Sequence, residues 1–308
     1  MSLPFLGPED IRGALSMKDA IDALDDAFSG SLPTAPPRSH LGVGRGDLLV
    51  MPAWGEALGV GVKLVTVAPD NPSAGLPLIH GVYVLFDYKS LRPTALLDGA
   101  ALTGIRTAAV SAVATRFLAR ADSKTLVVFG GGTQGLAHIE AMGEVLPELE
   151  RVLCVSRSRP SAERLVERAT KLGYRAQVAS PDAVEEADVV CTCTTASSAL
   201  FDGASLRPGA HINAVGAYKP DARELDDATI ARAKVFVEVK EAALHEAGDL
   251  HIPLENGMLA GSDVAELGDV AGGRAIGRAD DDQLTVFKSV GVAFEDLVVA
   301  AAAVARFV

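Results

Sequence analysis

A glycine-rich turn follows one of the strand-like segments of the chain, and its spacing suits a dinucleotide. The apolar run 126–129 leads into the pattern Gly-x-Gly-x-x-Gly, and an apolar segment with helical spacing follows. In such a turn the glycines allow a tight bend, close approach of a pyrophosphate and packing of the helix on the strand, while the free N–H groups of the helix attract the anion. The alternative is a glycine-rich turn that binds nothing. We predict that the dinucleotide is bound by Gly130, Gly132, Thr133, Gln134 and Gly135.

The end of the next strand indicates which dinucleotide this is. NAD sites usually have a carboxylate there, which accepts a hydrogen bond from the ribose 2′-hydroxyl. Here the strand at 151–155 ends in Ser-Arg-Ser-Arg, and guanidinium groups suit a 2′-phosphate. The pattern favours NADPH/NADP, with NAD possible; the alternative is that both arginines are solvated surface charges. The further residues predicted to bind the cofactor are Ser156, Arg157 and Arg159, then Thr194, Thr195 and Val215 at the ends of later strands.

Three basic residues lie in unusual sequence contexts. Arg38 follows two prolines, Lys63 interrupts an apolar strand, and Arg106 lies among small residues near a helix start. Each alone is most simply a surface charge. Together, in a chain with a predicted nicotinamide site, they predict a clamp for a small carboxylate, because arginine matches carboxylate geometry and a partly buried lysine adds a point charge. Burial beside two arginines should depress the pKa of Lys63 and make it a proton source.

Composition excludes several classes of partner. A net charge of −12 argues against nucleic acid. The cysteines, Cys154, Cys191 and Cys193, lie in apolar strand-like runs and are expected to be reduced and buried, with no metal site. We see no signal peptide, and the C-terminal apolar run is too short to span a bilayer, so we expect a cytoplasmic protein without a membrane partner.

The order of the elements predicts an α/β protein with two domains. Residues up to about 98 read as two short helices followed by four strands at 48–52, 60–68, 82–87 and 94–97, and a helix covers 100–121. Strands and helices then alternate, as in a Rossmann-type doubly wound parallel sheet. From residue 280 we expect one long helix or a helix pair that returns to the first domain. The predicted domains are therefore a discontinuous α+β substrate-binding and dimerisation domain at 1–115 and 280–308, and a dinucleotide domain at 116–279.

Several further motifs lie within about residues 38–297. They are Gly61-Val62-Lys63, Asn71-x-x-x-Gly75-Leu76-Pro77, Leu96-Leu97-Asp98-Gly99, Leu102-Thr103, Arg106-Thr107-Ala108-Ala109, the glycine turn, Gly216-Ala217-x-x-Pro220-Asp221-x-Arg223-Glu224-Leu225-Asp226, Glu246-Ala247-Gly248-Asp249 and Thr285-Val286-Phe287-Lys288-Ser289-Val290-Gly291. Together these motifs resemble those of the ornithine cyclodeaminase/mu-crystallin family. The resemblance implies a dimerising substrate domain whose sheet pairs with that of a second subunit. It also implies that Arg38, Lys63 and Arg106 hold the substrate carboxylate, that Ser289 lies near the nicotinamide and that Glu56 lies near the reacting centre.

One departure separates this chain from the cyclodeaminases of that family. They carry a catalytic aspartate two residues before the proline of the Gly-Gly-Asp-x-Pro segment, and this chain has Tyr218 there. The segment is instead similar to the mu-crystallin and ketimine-reductase branch. We therefore expect reduction of a cyclic 2-imino acid, such as Δ1-pyrroline-2-carboxylate, by hydride transfer from NADPH. Lys63 is the favoured proton source, and Tyr218 and Glu56 are weaker candidates.

Two other functions remain open from the sequence. One is an ornithine cyclodeaminase or alanine dehydrogenase that uses NAD. The other is a non-catalytic NADPH-binding protein of the crystallin kind, against which the three basic residues argue, since a carrier need not keep a carboxylate clamp.

Overall fold

The computed structural model describes residues 3–307, which form two compact units. The first unit comprises the described residues up to Arg106 together with those from Gly291 onward, and the second is Thr107–Val290. The segments 107–115 and 280–290, which the sequence had placed with the substrate domain, therefore lie in the second unit.

The first unit contains a six-stranded sheet and several helices. The elements in chain order are β1 (Phe5–Leu6), α1 (Pro8–Ala14), α2 (Met17–Ser29), β2 (Ser39–Gly42), β3 (Asp47–Gly55), β4 (Gly59–Val67), β5 (Ile79–Phe86) and β6 (Pro93–Asp98), followed by α3 (Gly99–Leu118), which continues into the second unit. The strand order is β1-β6-β5-β4-β3-β2, antiparallel except for the parallel pair of β1 and β6.

The second unit alternates strands and helices. Its elements are β7 (Thr125–Phe129), α4 (Thr133–Val145), β8 (Arg151–Val155), α5 (Arg159–Lys171), β9 (Arg175–Val178), β10 (Val189–Thr192), β11 (His211–Ala214), α6 (Asp227–Arg232), β12 (Ala233–Val237), α7 (Lys240–Glu246), α8 (Gly248–Glu255), β13 (Val264–Glu266), α9 (Leu267–Ala271) and β14 (Leu284–Lys288). The chain then returns to the first unit as α10 (Ala293–Phe307).

All eight strands of the second sheet are parallel, in the order β13-β12-β14-β11-β10-β7-β8-β9. The chain moves outward from β7 through β8 to β9 and then crosses back to β10, so the order reverses between β7 and β10. Ligands of doubly wound sheets bind at the carboxyl ends of the strands beside such a reversal. This arrangement confirms the predicted fold class.

The C-terminal prediction was wrong in one respect. Residues from 280 do not form one helix or a helix pair, because β14 is an interior strand between β11 and β12. All five residues of β14 are buried, so its sequence has no alternation of apolar and polar residues that would distinguish it from the start of the apolar helix that follows.

The buried face of the first sheet is set by alternation along β4. Gly61, Lys63, Val65 and Val67 point to the covered side, and the residues between them are more exposed. Helix α10 packs on this covered side against β3 and β4, and also contacts α2. A lysine therefore lies on the core side of the sheet. Among residues 3–307, none of the helices has both the length and the apolar character needed to cross a bilayer.

Candidate active site

Two of the predicted cations meet beneath the first sheet. Lys63 is 1% exposed, and its Nζ donates to Asp296 Oδ1 at 2.8 Å and to Thr103 Oγ1 at 3.2 Å. Arg106 is 6% exposed, and it donates from Nη1 to Glu295 Oε2 at 3.0 Å and from Nε to Asp296 Oδ1 at 3.3 Å. Both carboxylates are fully buried. The cluster of Lys63, Arg106, Glu295 and Asp296, called the clamp below, joins β4, α3 and α10.

Local sequence explains why these side chains converge. Asp98 accepts a hydrogen bond from the N–H of Ala101 in the first turn of α3, the helix that carries Arg106. Glu295 and Asp296 lie in the first turn of α10, where the helix dipole favours negative charge. Gly291 has φ of +74°, and a Cβ at that position would lie 2.3 Å from Arg106 Nη1, so the guanidinium occupies space that only glycine leaves open.

The electrostatics of the clamp differ from the prediction of a positive cluster. Glu295 and Asp296, which the sequence patterns did not single out, balance the charges of Lys63 and Arg106. The pKa of Lys63 is lowered to about 8, with burial as the largest cause. Arg106 also lowers it, whereas the charge of Asp296 opposes the shift. The direction agrees with the expectation for Lys63, with burial as the main cause and one arginine, Arg106, as a smaller one.

The two other residues predicted to lie near the substrate, Arg38 and Glu56, differ in their distance from the clamp. Arg38 is partly buried and immediately precedes β2, whose Ser39 pairs with Val50. The next residue of β3, Met51, pairs with Lys63, so the strand register brings the backbone of Arg38 alongside the Met51–Lys63 pair. Glu56 is exposed in the turn between β3 and β4. This turn lies roughly 13 Å or more along the strand from Lys63, so the structure does not bring Glu56 to the clamp.

In the second unit, the glycine turn has the geometry that a dinucleotide needs. Gly130 has φ of +107°, and a Cβ at Gly135 would lie 1.9 Å from the Gly130 carbonyl oxygen, so strand and helix are in close contact there. Gly132 is the N-cap of α4, receives no side-chain cap, and has open space within 4 Å of where a Cβ would stand. The exposed Thr133 and half-buried Gln134 follow in the first turn. These residues fit a pyrophosphate at the helix N-terminus.

The predicted 2′-phosphate residues lie between β8 and α5. Ser156 is half-buried, whereas Arg157 and Arg159 are exposed. The Nε of Arg159 donates to Glu163 Oε1 at 2.8 Å, one helical turn further along α5. Arg159 therefore already has an acidic partner.

The remaining predicted cofactor residues lie at the carboxyl ends of the central strands. Val215 and Ser289 follow β11 and β14, and their N–H groups donate to the carbonyls of Thr192 and Ala214. Thr194 donates both its N–H and its hydroxyl to Glu224 at 2.7 Å, and Thr195 is exposed. Tyr218, in the segment after β11, is half-buried, and the ammonium of Lys219 lies 6.0 Å from its ring centroid.

Glu224 was not predicted as a site residue, although it belongs to one of the sequence motifs. It is fully buried and also accepts from the Thr192 hydroxyl at 2.8 Å and the Gly216 N–H at 2.7 Å, so it ties the ends of β10 and β11 together. Burial raises its pKa. Asp249 accepts from the backbone N–H of Glu224 at 2.7 Å and lies 3.0 Å from the ammonium of Lys288. In the sequence, the signal that could have identified Glu224 and Asp249 was the presence of ionisable residues within the family motifs.

The cysteines are free thiols. Cys154 and Cys191 are buried, and burial raises the pKa of each to about 12. Cys193 is partly exposed. Within residues 3–307, no group of three or more His, Cys, Asp or Glu side chains is arranged to hold a metal ion.

Comparison with known proteins gives a consistent result. The profile of the ornithine cyclodeaminase/mu-crystallin family matches residues 5–307. A Δ1-pyrroline-2-carboxylate reductase of Bacillus cereus is 39% identical over 302 residues, which cover 94% of this chain and 92% of that protein. The solved structure of Thermococcus litoralis Δ1-pyrroline-2-carboxylate reductase, in complex with NADH and L-proline, has a TM-score of 0.95 at 34% identity and covers 99% of this chain and 97% of that one.

A second solved structure is an archaeal alanine dehydrogenase dimer with bound NAD. Its TM-score is 0.93 at 30% identity, with 99% of this chain and 96% of that chain covered. The comparisons confirm the family resemblance and the prediction of an oxidoreductase that acts on CH–NH groups.

Proposed function

The chain belongs to the ornithine cyclodeaminase/mu-crystallin family, and we propose that it reduces the C=N bond of a cyclic 2-imino acid to the amino acid. Δ1-pyrroline-2-carboxylate, which would give L-proline, is the substrate we propose. The observation that carries the proposal is the clamp: a lysine and an arginine buried beneath a sheet and held by two carboxylates. Burying these charges is costly. A fold that needed only stability would gain as much from apolar side chains there.

The clamp suits a substrate with an acid group beside a C=N bond. Arg106 and Lys63, together with Arg38, bind the carboxylate, since a guanidinium matches its two oxygens and an ammonium adds a point charge. Fixing the carboxylate orients the neighbouring imine carbon for reaction. Glu295 and Asp296 keep the clamp near neutrality, so a protonated imine nitrogen is tolerated there. This removes the repulsion that a purely positive cluster would impose on the iminium.

Lys63 is the proposed proton donor. Its pKa of about 8 leaves the ammonium largely charged near neutral pH, yet acidic enough to give up a proton. Transfer from Nζ to the imine nitrogen forms the N–H bond, and solvent later restores the proton to Lys63. Glu56 is a poor alternative because it lies in an exposed turn away from the clamp.

A nicotinamide dinucleotide would supply the hydride that forms the new C–H bond. We propose that the glycine turn and the first turn of α4 hold its pyrophosphate, with Gly132 providing the open space. We further propose a preference for NADP, because Ser156 and Arg157 replace the usual carboxylate after β8. Arg157 is the better phosphate ligand of the two arginines, since Arg159 is paired with Glu163. Thr195, Val215 and Ser289 would line the rest of the cofactor site.

We also propose a homodimer formed by the first sheet. The face of β4 opposite the clamp presents Val60, Val62 and Leu64, of which Leu64 is 37% exposed, and Trp54 on β3 is 38% exposed. An apolar sheet face of this kind is typical of a subunit interface. Sedimentation analysis should find a dimer, and Leu64→Glu should shift it toward monomer, whereas Thr66→Glu, outside this apolar set, should do so less. A wild-type monomer at micromolar concentration would contradict the proposal.

Substrate assays test the proposed reaction. NADPH oxidation, followed by absorbance, should be fastest with Δ1-pyrroline-2-carboxylate and slower with the six-membered Δ1-piperideine-2-carboxylate or with pyruvate plus ammonia. Ornithine plus NAD should release no ammonia. Fastest turnover with pyruvate and ammonia would make the protein an alanine dehydrogenase. Tight NADPH binding without turnover of any imino or keto acid would make it a carrier.

A further inference from the structure

We propose that Asp296 is a positioning residue of the clamp, which fixes the Lys63 ammonium against the Arg106 guanidinium and keeps Lys63 in its proton-donating form. This inference rests on the proposed function, because it assigns a role to a residue that acts through Lys63.

The geometry places one carboxylate on both cations. Asp296 Oδ1 and Oδ2 each lie 2.8 Å from Lys63 Nζ, and Oδ1 also accepts from Arg106 Nε at 3.3 Å. The two cations come from β4 and α3, so Asp296 sets their separation from a third element, α10. Asp296 is fully buried, so water cannot replace its carboxylate. Because the local dielectric is low, loss of its charge strongly changes the electrostatic energy of the neighbouring cations.

The neighbouring Glu295 provides a matched comparison. It has the same charge, lies in the same helical turn and is equally buried, yet its hydrogen bond goes to Arg106 Nη1 at 3.0 Å. Its effect on the pKa of Lys63 is smaller than that of Asp296. Neutralising either residue removes one buried negative charge from the clamp, but only Asp296 bonds directly to the proposed proton donor.

The charges around Lys63 determine what loss of Asp296 would do. Asp296 and Glu295 face it from α10, Arg106 and the hydroxyl of Thr103 from α3, and Tyr83 pairs with it from β5. Tyr83 stays neutral because burial raises its pKa well above 10. Without the Asp296 charge, burial and Arg106 both act against the ammonium, and the pKa of Lys63 falls. Lys63 then loses its proton, and with it part of its grip on the substrate carboxylate, at lower pH.

The test compares Asp296→Asn with Glu295→Gln. The pH dependence of kcat/KM for the imino acid should show an alkaline limb near the Lys63 pKa of about 8 in the wild type. We expect Asp296→Asn to move that limb down by about one pH unit or more, with about tenfold lower kcat/KM at pH 8 and partial recovery at pH 6. Glu295→Gln should weaken substrate binding with a much smaller displacement of the limb. The assignment is overturned if the alkaline limb of Asp296→Asn stays where it is in the wild type. It is also overturned if Glu295→Gln shifts the limb by the same amount as Asp296→Asn.

Two further measurements keep the proposal testable. If Asp296→Asn does not fold, Asp296→Glu, which keeps the charge but moves the carboxylate, should retain the alkaline limb while lowering kcat. Calorimetric binding of pyrrole-2-carboxylate, a planar ring carboxylate, across the same pH range needs no turnover. If the wild type reduces no imino acid, the proposed function fails, but the pH shift of this binding between wild type and Asp296→Asn still decides the role of Asp296.

Discussion

The hydroxyl of Tyr83 occupies the space that a side chain at Gly61 would need. A Cβ built at Gly61 would lie 1.9 Å from Tyr83 Oη and 2.5 Å from its Cζ. Gly61 and Lys63 lie on the same face of β4, and Tyr83 pairs with Lys63 across the ladder to β5. The glycine therefore lets a large aromatic ring, fully buried, pack beside the clamp.

We accordingly expect Gly61→Ala to reduce both stability and activity. The clash is with a buried ring rather than a flexible tip, so overpacking should cost about 1–3 kcal/mol of unfolding free energy. Displacement of Tyr83 should also disturb Lys63 and lower kcat/KM. Urea denaturation and steady-state kinetics measure the two effects. Combining Gly61→Ala with Tyr83→Val, which removes the ring, should cost less stability than the two single changes added together. If the stability losses of the two single changes simply add in the double variant, Gly61 does not serve to make room for the Tyr83 ring.

Loss of the Lys63 ammonium should be severe for catalysis and mild for cofactor binding. Lys63→Met keeps the stem but removes both the proposed proton and one charge on the substrate carboxylate. General acid catalysis typically contributes about 10²–10⁴-fold to the rate, so kcat should decrease by a factor in that range. NADPH affinity, measured by fluorescence titration, should change little because the dinucleotide turn lies in the other unit. A Lys63→Met enzyme with near-normal kcat/KM would remove Lys63 from the mechanism.

Much of the fold follows from local sequence. The run 126–129 and its glycine turn predict β7 and α4 closely, because buried parallel strands are short apolar runs and the glycines mark where the chain turns. Ser16 and Asp19 form a capping box at the start of α2, and a serine followed three residues later by an acidic residue is a local pattern typical of a helix start. The sequence did not indicate β2, whose Ser-His-Leu-Gly segment is exposed throughout and forms the edge of the sheet beside β3.

The clamp could be only half predicted. Lys63 and Arg106 stand out because a charge among apolar or small residues is unusual. Glu295 and Asp296 lie more than 180 residues further along the chain, at the start of an apolar helix, where acidic residues are ordinary dipole partners. Nothing local says that this helix returns to cover β3 and β4. Pairing of distant charges is decided by tertiary packing, which periodicity does not encode.

The open space above Gly132 predicts a selective effect on the cofactor. A Cβ there would meet no protein atom within 4 Å, and the backbone has a negative φ, so Gly132→Ala should leave the thermal midpoint nearly unchanged. The added methyl would stand where the pyrophosphate is proposed to bind, and should raise the Kd for NADPH by about tenfold or more. Gly13→Ala, another glycine without neighbours within 4 Å, serves as the control and should leave the Kd unaltered. Unchanged cofactor affinity in Gly132→Ala would move the proposed site elsewhere.

Arg157 should determine the choice between the two dinucleotides. Removing it by Arg157→Ala takes away a charged ligand of the 2′-phosphate, and a charged hydrogen bond is worth roughly 1.5–3 kcal/mol. We expect kcat/KM to fall about tenfold or more with NADPH and to stay nearly constant with NADH. Arg159→Ala should have a smaller effect because Arg159 is paired with Glu163. Equal losses with both cofactors would assign Arg157 to folding rather than to phosphate recognition.

Acid sensitivity should arise partly from His138. This side chain is fully buried; its Nδ1 lies 2.8 Å from the Gln134 carbonyl oxygen and its Nε2 lies 3.0 Å from the Ser111 hydroxyl. Burial lowers the pKa of His138 from 6.5 to about 4. Between those values the unfolded chain binds a proton that the folded chain excludes. The stability from the neutral imidazole is therefore complete above about pH 6.5 and is lost as the pH falls toward 4, at roughly 1.4 kcal/mol per pH unit.

A glutamine at position 138 offers a hydrogen-bond donor and an acceptor, as the neutral imidazole does, but does not titrate. The difference in unfolding free energy between wild type and His138→Gln, measured in urea at pH 7.5, 6 and 5, should shift in favour of the variant by about that slope below pH 6.5. His80→Gln, at an exposed position, is the control and should track the wild type across the range. If the difference for His138→Gln is the same at all three pH values, the imidazole binds protons equally in the folded and unfolded chains. Another buried group, such as His211 with a pKa lowered by burial to about 3, must then account for any acid unfolding.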